Sequence, residues 1–172
     1  GVTVLKQGWG VEPLTEGQAA CVSTMSYNEY WVVRDAGYSP EELTVFKYQA
    51  EGAATLEDGL YVHEKNMSDP VFKDKMVRFV RASMKGWKYA EENPKEAAMI
   101  ILDNDDAGVQ TEKHQVRMMG EIAKLTAGSN GALDPADYER TVKVLMSGAS
   151  DPVITKKPSG AWTHEITNAA LK

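Results

Sequence analysis

The chain has 172 residues, which is enough for one domain or for a domain and part of another. Hydrophobic residues make up 42% of it and charged residues 26%, proportions that are typical of a globular protein with a packed core. The formal net charge of −6 argues against nucleic acid or an anionic membrane as the main partner. No apolar run approaches the roughly 20 residues that a membrane-spanning helix needs, so we predict a chain that does not span a membrane.

Cysteine and histidine are too sparse to indicate a metal site. The single cysteine, Cys21, excludes a disulfide within the chain, and the three histidines are widely separated. The sequence also lacks a phosphate-binding loop and an ordered Ser, His and Asp set. We therefore predict no metal, no cofactor and no enzymatic activity. Because the chain starts at Gly1 rather than Met, we expect a processed, truncated or recombinant form.

Short apolar segments alternate with helical patterns in the first third of the chain. Four of them are predicted as strands: residues 2–5, 19–24, 44–48 and 60–63. Predicted helices cover residues 11–16, ended by Gly17, and residues 26–36, ended by Gly37. A capped turn over residues 39–42 precedes the third strand. This alternation is typical of parallel α/β units and predicts an α/β fold class.

From Asp69 onward the pattern is helical. Asp69 and Pro70 begin a long amphipathic helix that ends near Glu92. A second helix is predicted to follow at once, because Glu96 can reach back to the Asn93 amide in a capping box.

Three further helices are predicted in the last third of the chain. The first covers residues 111–125, and the second begins after the Asp134 cap at Pro135 and ends at Gly148. A weaker helix is predicted over residues 163–171. The segments at residues 103–108 and 127–132 have the composition of a loop and a linker.

The helix pair carries the run VRFVRASMKGWKYAEENPKEA, at residues 77–97, which resembles a known family. It is similar to the C-terminal helices of periplasmic substrate-binding proteins of ABC transporters. The subfamily that it resembles is the thiamine-pyrimidine-precursor, or no-message-in-thiamine, type, a relative of the nitrate-, sulfonate- and taurine-binding proteins. The resemblance covers about residues 2–138.

The resemblance implies a two-lobed periplasmic-binding-protein-like fold of class II. Residues 1–66 would be an α/β segment of the second lobe, and residues 67–172 a helical segment that returns to the first lobe. The first lobe would be largely absent from this chain, so we expect a missing N-terminal lobe of the same protein as a partner.

The resemblance also implies a function. The protein would be the solute-binding component of an ABC importer, holding a small pyrimidine-like or other heteroaromatic solute in an interlobe cleft. Its partner would be the transporter permease, and its location periplasmic or extracytoplasmic with a lipid anchor. One alternative is an enzyme of the thiamine-pyrimidine synthase type, although the cysteine-rich motif of those enzymes is absent here. Another alternative is a ligand-sensing domain.

The strongest candidate for ligand contacts is the predicted strand-to-helix turn at residues 24–31. Ligands of open α/β sheets bind beyond the carboxyl ends of the strands, and the resemblance implies that this turn faces the cleft. Tyr27 offers a flat apolar ring, and Asn28 can donate and accept hydrogen bonds on a heterocycle. Ser26 and Glu29 are candidates too, but they also fit a capping box that needs no ligand.

Two other segments supply candidates. Trp9 lies between two glycines and either stacks on a ligand ring or seals a sheet edge. The acidic residues of the 48–58 segment either bind an amino group or cation or are simply solvated; they are Glu51, Glu57 and Asp58.

Overall fold

The computed structural model describes residues 1–147 and 152–172, and helices are the only regular secondary structure within these two ranges. The α-helices are α1 (Glu12–Thr15), α2 (Glu29–Asp35), α3 (Pro70–Glu92), α4 (Pro94–Asp103), α5 (Glu112–Thr126), α6 (Pro135–Met146) and α7 (Glu165–Ala170). Two short 3-10 helices cover Pro40–Glu42 and Glu64–Ser68. No helix of the described part is both long and apolar enough to cross a membrane.

The chain divides into two units, which are described separately here. The first comprises Gly1–Thr44 and Trp87–Ala127, and the second comprises Val45–Gly86 and Gly128–Lys172. The chain passes from one unit to the other after Thr44, after Gly86, which lies within α3, and after Ala127. The division at residues 66 and 67 that the sequence suggested concerns the lobes of a longer two-lobed protein and stays a prediction.

The core of the first unit lies between α4 and α5. Ala98 is completely buried and Met119 is 7% exposed, and they form one cluster with Ala97. Ala90 and Val116 pack against this cluster. Small side chains on α4 allow the thioether of Met119 to approach the helix closely, and burial of these groups is the main force that holds the two helices together.

The break between α3 and α4 lies where the sequence predicted it, but its capping contact differs. The backbone N–H of Asn93 donates to the Tyr89 carbonyl at 2.8 Å, so it does not receive the predicted contact from Glu96. The Glu96 carboxylate instead accepts a hydrogen bond from the Tyr89 hydroxyl, which raises the pKa of that phenol. The predicted capping box at Asn93 is therefore wrong, although the helix boundaries are confirmed.

In the second unit, α3 is joined to α7 at two places. Lys73 forms an ion pair with Glu165 at the start of α7. The Arg81 guanidinium donates to the carbonyls of Ala170 at 3.1 Å and Ala169 at 3.2 Å. Since the last carbonyls of a helix have no partner within it, these contacts satisfy the end of α7. Such a six-residue helix depends on them, because an isolated helix of this length is unstable.

The remaining helix predictions are confirmed. The Asp134 carboxylate accepts from the Ala136 N–H at 2.7 Å and so begins α6 as expected. The capped turn before residue 43 is present as a 3-10 helix, in which the Glu42 carboxylate accepts from the Ser39 N–H at 2.8 Å. This hydrogen bond lowers the pKa of Glu42. The predicted end of α6 at Gly148 lies outside the described residues, and the helix extends to Met146.

The four predicted strands are absent. Residues 2–5, 19–24, 44–48 and 60–63 all lack regular secondary structure, and the described part of the chain holds no strand at all. This corrects the sequence-based prediction for these segments, and an α/β sheet is not shown by the structure. Val2 and Val4 are 94% and 89% exposed, whereas a parallel strand buries both of its faces.

The side chain of Gln7, two residues after the first predicted strand, contacts the backbone of the second predicted strand. The Gln7 amide donates from Nε2 to the Ser23 carbonyl at 2.8 Å, and its Oε1 accepts from the Ser23 N–H at 2.9 Å. A neighbouring strand makes this same pair of contacts through its backbone and repeats it along its length. Strand propensity alone does not provide such a neighbour, which explains why four apolar segments did not produce a sheet.

Candidate functional site

The predicted ligand-binding turn lies at the start of α2 in the first unit. Asn28 is the N-cap residue of this helix, yet its side chain makes no capping hydrogen bond to the helix. Asparagine is favoured at this position because its side chain usually accepts from the first free N–H groups. The side chain of Asn28 is thus held by contacts outside the helix backbone.

Those contacts form a short chain of polar groups. Glu29 accepts from the Met25 N–H at 2.8 Å through one carboxylate oxygen and from Asn28 Nδ2 at 3.1 Å through the other. Asn28 Oδ1 lies 2.8 Å from Nε2 of His114, on α5. The capping box predicted between Ser26 and Glu29 is replaced by this arrangement, because α2 begins three residues after Ser26.

A pocket of about 350 Å³ opens beside Asn28. Its wall combines amides, a hydroxyl and an imidazole with two valines, and it is lined by Asn28, Val32, Asp35, Val109, Gln110, Thr111 and His114. Its volume lies in the range of sites for small organic ligands, although the hollow is open to solvent and Val109 in its wall is 71% exposed.

The far side of the pocket is fixed by ion pairs. The Asp35 carboxylate contacts Lys113 Nζ and Arg117 Nη1, each at 2.9 Å. Hydrogen bonds from Lys113 and Arg117 lower the pKa of Asp35. These pairs join the end of α2 to α5 across the pocket wall and neutralise the only carboxylate in its lining.

Trp31 packs within the first unit rather than at the pocket. Arg117 lies over its ring, 4.9 Å from the centroid, and Tyr30 meets it edge to face with centroids 5.3 Å apart. Trp31 is therefore a packing residue of the first unit.

The other predicted ligand residues of the first unit are placed differently. Tyr27 is half-buried and adjoins Asn28 in the chain, and Ser26 is exposed. Trp9 is 99% exposed, so it neither seals a sheet edge nor lines the pocket. Of the residues predicted in this unit, the structure brings Asn28 into the pocket, and Glu29 holds it there.

The acidic candidates belong to the second unit. Glu51, Glu57 and Asp58 are all exposed. Their segment is attached to α6, since the Leu56 N–H donates to Thr141 Oγ1 at 2.8 Å and Arg140 Nε donates to the Ala54 carbonyl at 3.2 Å. In residues 1–147 and 152–172 no three carboxylate, histidine or cysteine side chains are grouped so that they could hold a metal ion. The part of Glu51, Glu57 and Asp58 in ligand binding stays a prediction.

Sequence reasoning missed the side of the pocket that α5 and the preceding loop supply. His114 is separated from Asn28 by 86 positions, and its sequence surroundings show only a helix start. One signal was present: Thr111 caps α5 by accepting from the His114 N–H at 3.3 Å, which places His114 in the first turn. Nothing in the sequence indicated that this turn meets Asn28.

Comparison with known proteins gives one match. A family model described as NMT1/THI5 like matches residues 2–97, more than half of the chain. The search of curated proteins found no significant match, and neither did the search of solved structures. The matched range includes Asn28, Val32 and Asp35 of the pocket, whereas Val109, Gln110, Thr111 and His114 lie beyond it.

Proposed function

Because the chain belongs to the NMT1/THI5-like family, we propose that it is the solute-binding component of an ABC importer for a small, heteroaromatic solute such as a thiamine pyrimidine precursor. The observation that carries the proposal is the position of Asn28, whose amide is held at the edge of a pocket of about 350 Å³ instead of capping its own helix. Amides in such positions recognise the edge of a heterocycle.

The pocket lining suits a neutral, partly apolar solute. Val32 and Val109 offer apolar contact, while Asn28 and Gln110 offer amide groups for directed hydrogen bonds. The only carboxylate, Asp35, is already paired with Lys113 and Arg117, so a cationic solute gains little from it. Affinity in this proposal comes from shape and a few hydrogen bonds, and no covalent chemistry is required.

The proposed setting is extracytoplasmic. A binding protein of an importer works outside the cytoplasmic membrane, where it delivers its solute to the permease. The family resemblance supports a two-lobed protein in which hinge closure buries the solute. A second lobe would then cover the pocket beside Asn28.

The first test is native mass spectrometry of the protein purified from its own host. We expect a small bound mass that exchanges on dilution and is not converted. Titration calorimetry would then compare the aminopyrimidine precursor of thiamine with taurine and nitrate, and we expect binding of the aminopyrimidine. A mass that changes to a product on incubation would instead establish an enzyme.

A variant pair connects the function to the pocket. Replacing Asn28 by Ala removes one hydrogen bond to the solute and should weaken binding about tenfold or more, since about 1.4 kcal/mol corresponds to a factor of ten. Asn168→Ala, at an exposed position on α7 of the other unit, is the matched control and should bind normally. Equal affinities for the two variants would remove the pocket from the proposal.

A further inference from the structure

We propose that Asn130 is a site of spontaneous covalent modification, at which the backbone nitrogen of Gly131 attacks the side-chain amide and converts the residue to isoaspartate and aspartate. The site lies in the loop between α5 and α6, in the second unit. Asn130 does not line the pocket beside Asn28, so this inference stands apart from the proposed function.

The reaction requires no partner other than water. The Gly131 nitrogen loses its proton and forms a bond to Cγ of Asn130. The bond between Cγ and Nδ2 then breaks, and Nδ2 takes up a proton and leaves as ammonia, so that a five-membered succinimide ring remains. Water adds to one of the two ring carbonyls, and the bond from that carbonyl to the ring nitrogen breaks. One product is aspartate, and the other is isoaspartate, whose backbone runs through the side chain and is one carbon longer.

The residue that follows an asparagine decides how easily this ring closes. Asn130 is the only asparagine of the chain that is followed by glycine. Because glycine has no Cβ, its nitrogen approaches Cγ without obstruction. Asn93 is the opposite case, since it precedes Pro94, which has no backbone N–H to supply the nucleophile. The sequence therefore ranks Asn130 first among the asparagines.

The conformation of the loop also favours the attack. Asn130 Oδ1 accepts from the Ala132 N–H at 3.0 Å, so the side chain is bent back along the chain that follows it. The same hydrogen bond stabilises the negative charge that develops on Oδ1 during the attack. The Gly131 N–H donates to Ser129 Oγ at 3.1 Å and is not part of a helix. Asn130 and Gly131 are both exposed, so hydroxide and water reach the reacting atoms.

Asn104 is the comparison within the same chain, because it lies at the end of α4. The N–H that would attack it, that of Asp105, donates to the Leu102 carbonyl at 3.1 Å. Asn104 Nδ2 donates to the Ile100 carbonyl at 2.8 Å, which holds the amide on the helix. Closure of a ring at Asn104 must break both contacts, so the helix end protects this residue.

The loop at Asn130 has little room for a longer backbone. Gly131 has a φ of 73° and lies so close to Met84 that a Cβ on it would be 2.5 Å from the sulfur. The Leu133 carbonyl lies 2.7 Å from Nε2 of His164. The extra backbone carbon of isoaspartate displaces these contacts, whereas aspartate adds only a charge. Isoaspartate should therefore be the product that destabilises the second unit.

The test is incubation of the wild-type protein at mildly alkaline pH, followed by peptide mapping with mass spectrometry. Isoaspartate is detected by methyl transfer from S-adenosylmethionine with an isoaspartyl methyltransferase. Asn130 should lose its amide nitrogen about tenfold faster than Asn104, since a factor of ten in rate corresponds to about 1.4 kcal/mol, the size of one hydrogen bond. The rate should rise with pH, because hydroxide removes the proton of the attacking nitrogen. An equal or lower rate at Asn130 would overturn the proposal.

Asn130→Gln is the control for the position. Its longer side chain would have to close a six-membered ring, so methyl transfer to this peptide should be lost while the rate at Asn104 stays unchanged. Unfolding in urea separates the loop conformation from the sequence. The rate at Asn104 should rise in urea, whereas the rate at Asn130 should stay the same or fall. A rise at Asn130 as large as that at Asn104 would overturn the part assigned to the loop.

A matched pair tests the effect on the fold. The isoaspartyl form, separated by chromatography, and Asn130→Asp carry the same charge and differ in the length of the backbone. The isoaspartyl form should unfold at a lower temperature than N130D. Equal unfolding temperatures would overturn the displacement of the Met84 and His164 contacts.

Discussion

The helix pair α4–α5 and the apolar segment at residues 2–5 differ in how far their apolar side chains are buried. The α4–α5 pair encloses Ala98 and Met119, whereas residues 2–5 expose Val2 and Val4 almost completely. Both regions are apolar, and both were predicted as regular structure. The difference is that a helix makes its hydrogen bonds within itself, while a strand makes all of its own with a neighbour.

This contrast separates contacts between residues that are close in the sequence from contacts between residues that are far apart in it. Asp69, Asp134 and Ser39 each make the contacts that their positions predict, because the groups they bind are two or three residues away. Strands require partners that are distant in the chain, and these partners are specified by no single segment. The predictions that follow test whether the two regions truly differ in burial.

The largest expected effect is at Met119, which is 7% exposed. Met119→Ala removes the largest side chain of the α4–α5 cluster and should lower the free energy of unfolding by about 2–5 kcal/mol, the usual cost of such a core truncation. Urea denaturation followed by circular dichroism measures it. Leu125→Ala on the same helix is the control, because Leu125 is 62% exposed and should change the free energy by less than about 0.5 kcal/mol. Equal losses of unfolding free energy in the two variants would show that Met119 does not lie on the buried face of α5.

The next largest change in the free energy of unfolding is expected at Asp134, the N-cap residue of α6. Asp134→Ala removes the acceptor for the Ala136 N–H and should lower the free energy of unfolding by about 1 kcal/mol. Asp134→Asn retains a side-chain oxygen and should recover most of that loss. Thermal unfolding of the three proteins provides the comparison. If both variants lose the same amount, the charge of Asp134 rather than its capping hydrogen bond stabilises α6.

The sequence predicted the positions of the helices well, for the physical reason that their signals are local. Every α-helix of the described residues was expected within about three residues of its ends, and Gly17 and Gly37, with φ of 71° and 109°, end the first two as predicted. The failures concern long-range contacts. The four strands lack neighbours, and the Glu96 contact went to Tyr89 rather than to the Asn93 amide.

The sequence identified one side of the candidate site, at Asn28, but not the side that α5 and the loop before it supply. Asn28 was identified because it had no evident structural role, and the structure agrees in that its side chain does not cap α2. His114 and Gln110 could not be found, since their approach to Asn28 depends on how α5 packs against α2. The Asp35 pairs with Lys113 and Arg117 that fix this packing also join residues far apart in the chain.

A smaller effect is expected from the Asp35 pairs, and it should depend on pH. Lys113 and Arg117 lower the folded-state pKa of Asp35 below its ordinary value of about 3.8, so the pairs stabilise the protein above that value and lose their effect as the pH falls through the folded-state pKa. Because 35% of the Asp35 side chain is exposed, Asp35→Asn should cost no more than about 1 kcal/mol at pH 7. Urea unfolding at pH 7 and at pH 3 measures the difference, which should shrink at pH 3. Asp106→Asn, at an exposed loop position, is the control and should change the free energy of unfolding at pH 7 by less than about 0.5 kcal/mol.

The smallest change in the free energy of unfolding is expected at residues 2–5, whose exposure is one side of the comparison. Val2→Thr combined with Val4→Thr should change the free energy of unfolding by less than about 0.5 kcal/mol, because both side chains are already in water. Val33→Thr makes the same chemical change at a side chain that is 3% exposed, and it should cost about 1–3 kcal/mol by burying a hydroxyl. The double variant should also bind less of an apolar dye than the wild type does. If it instead loses as much stability as Val33→Thr, residues 2–5 are buried in the protein in solution, and the predicted strand at this position regains its support.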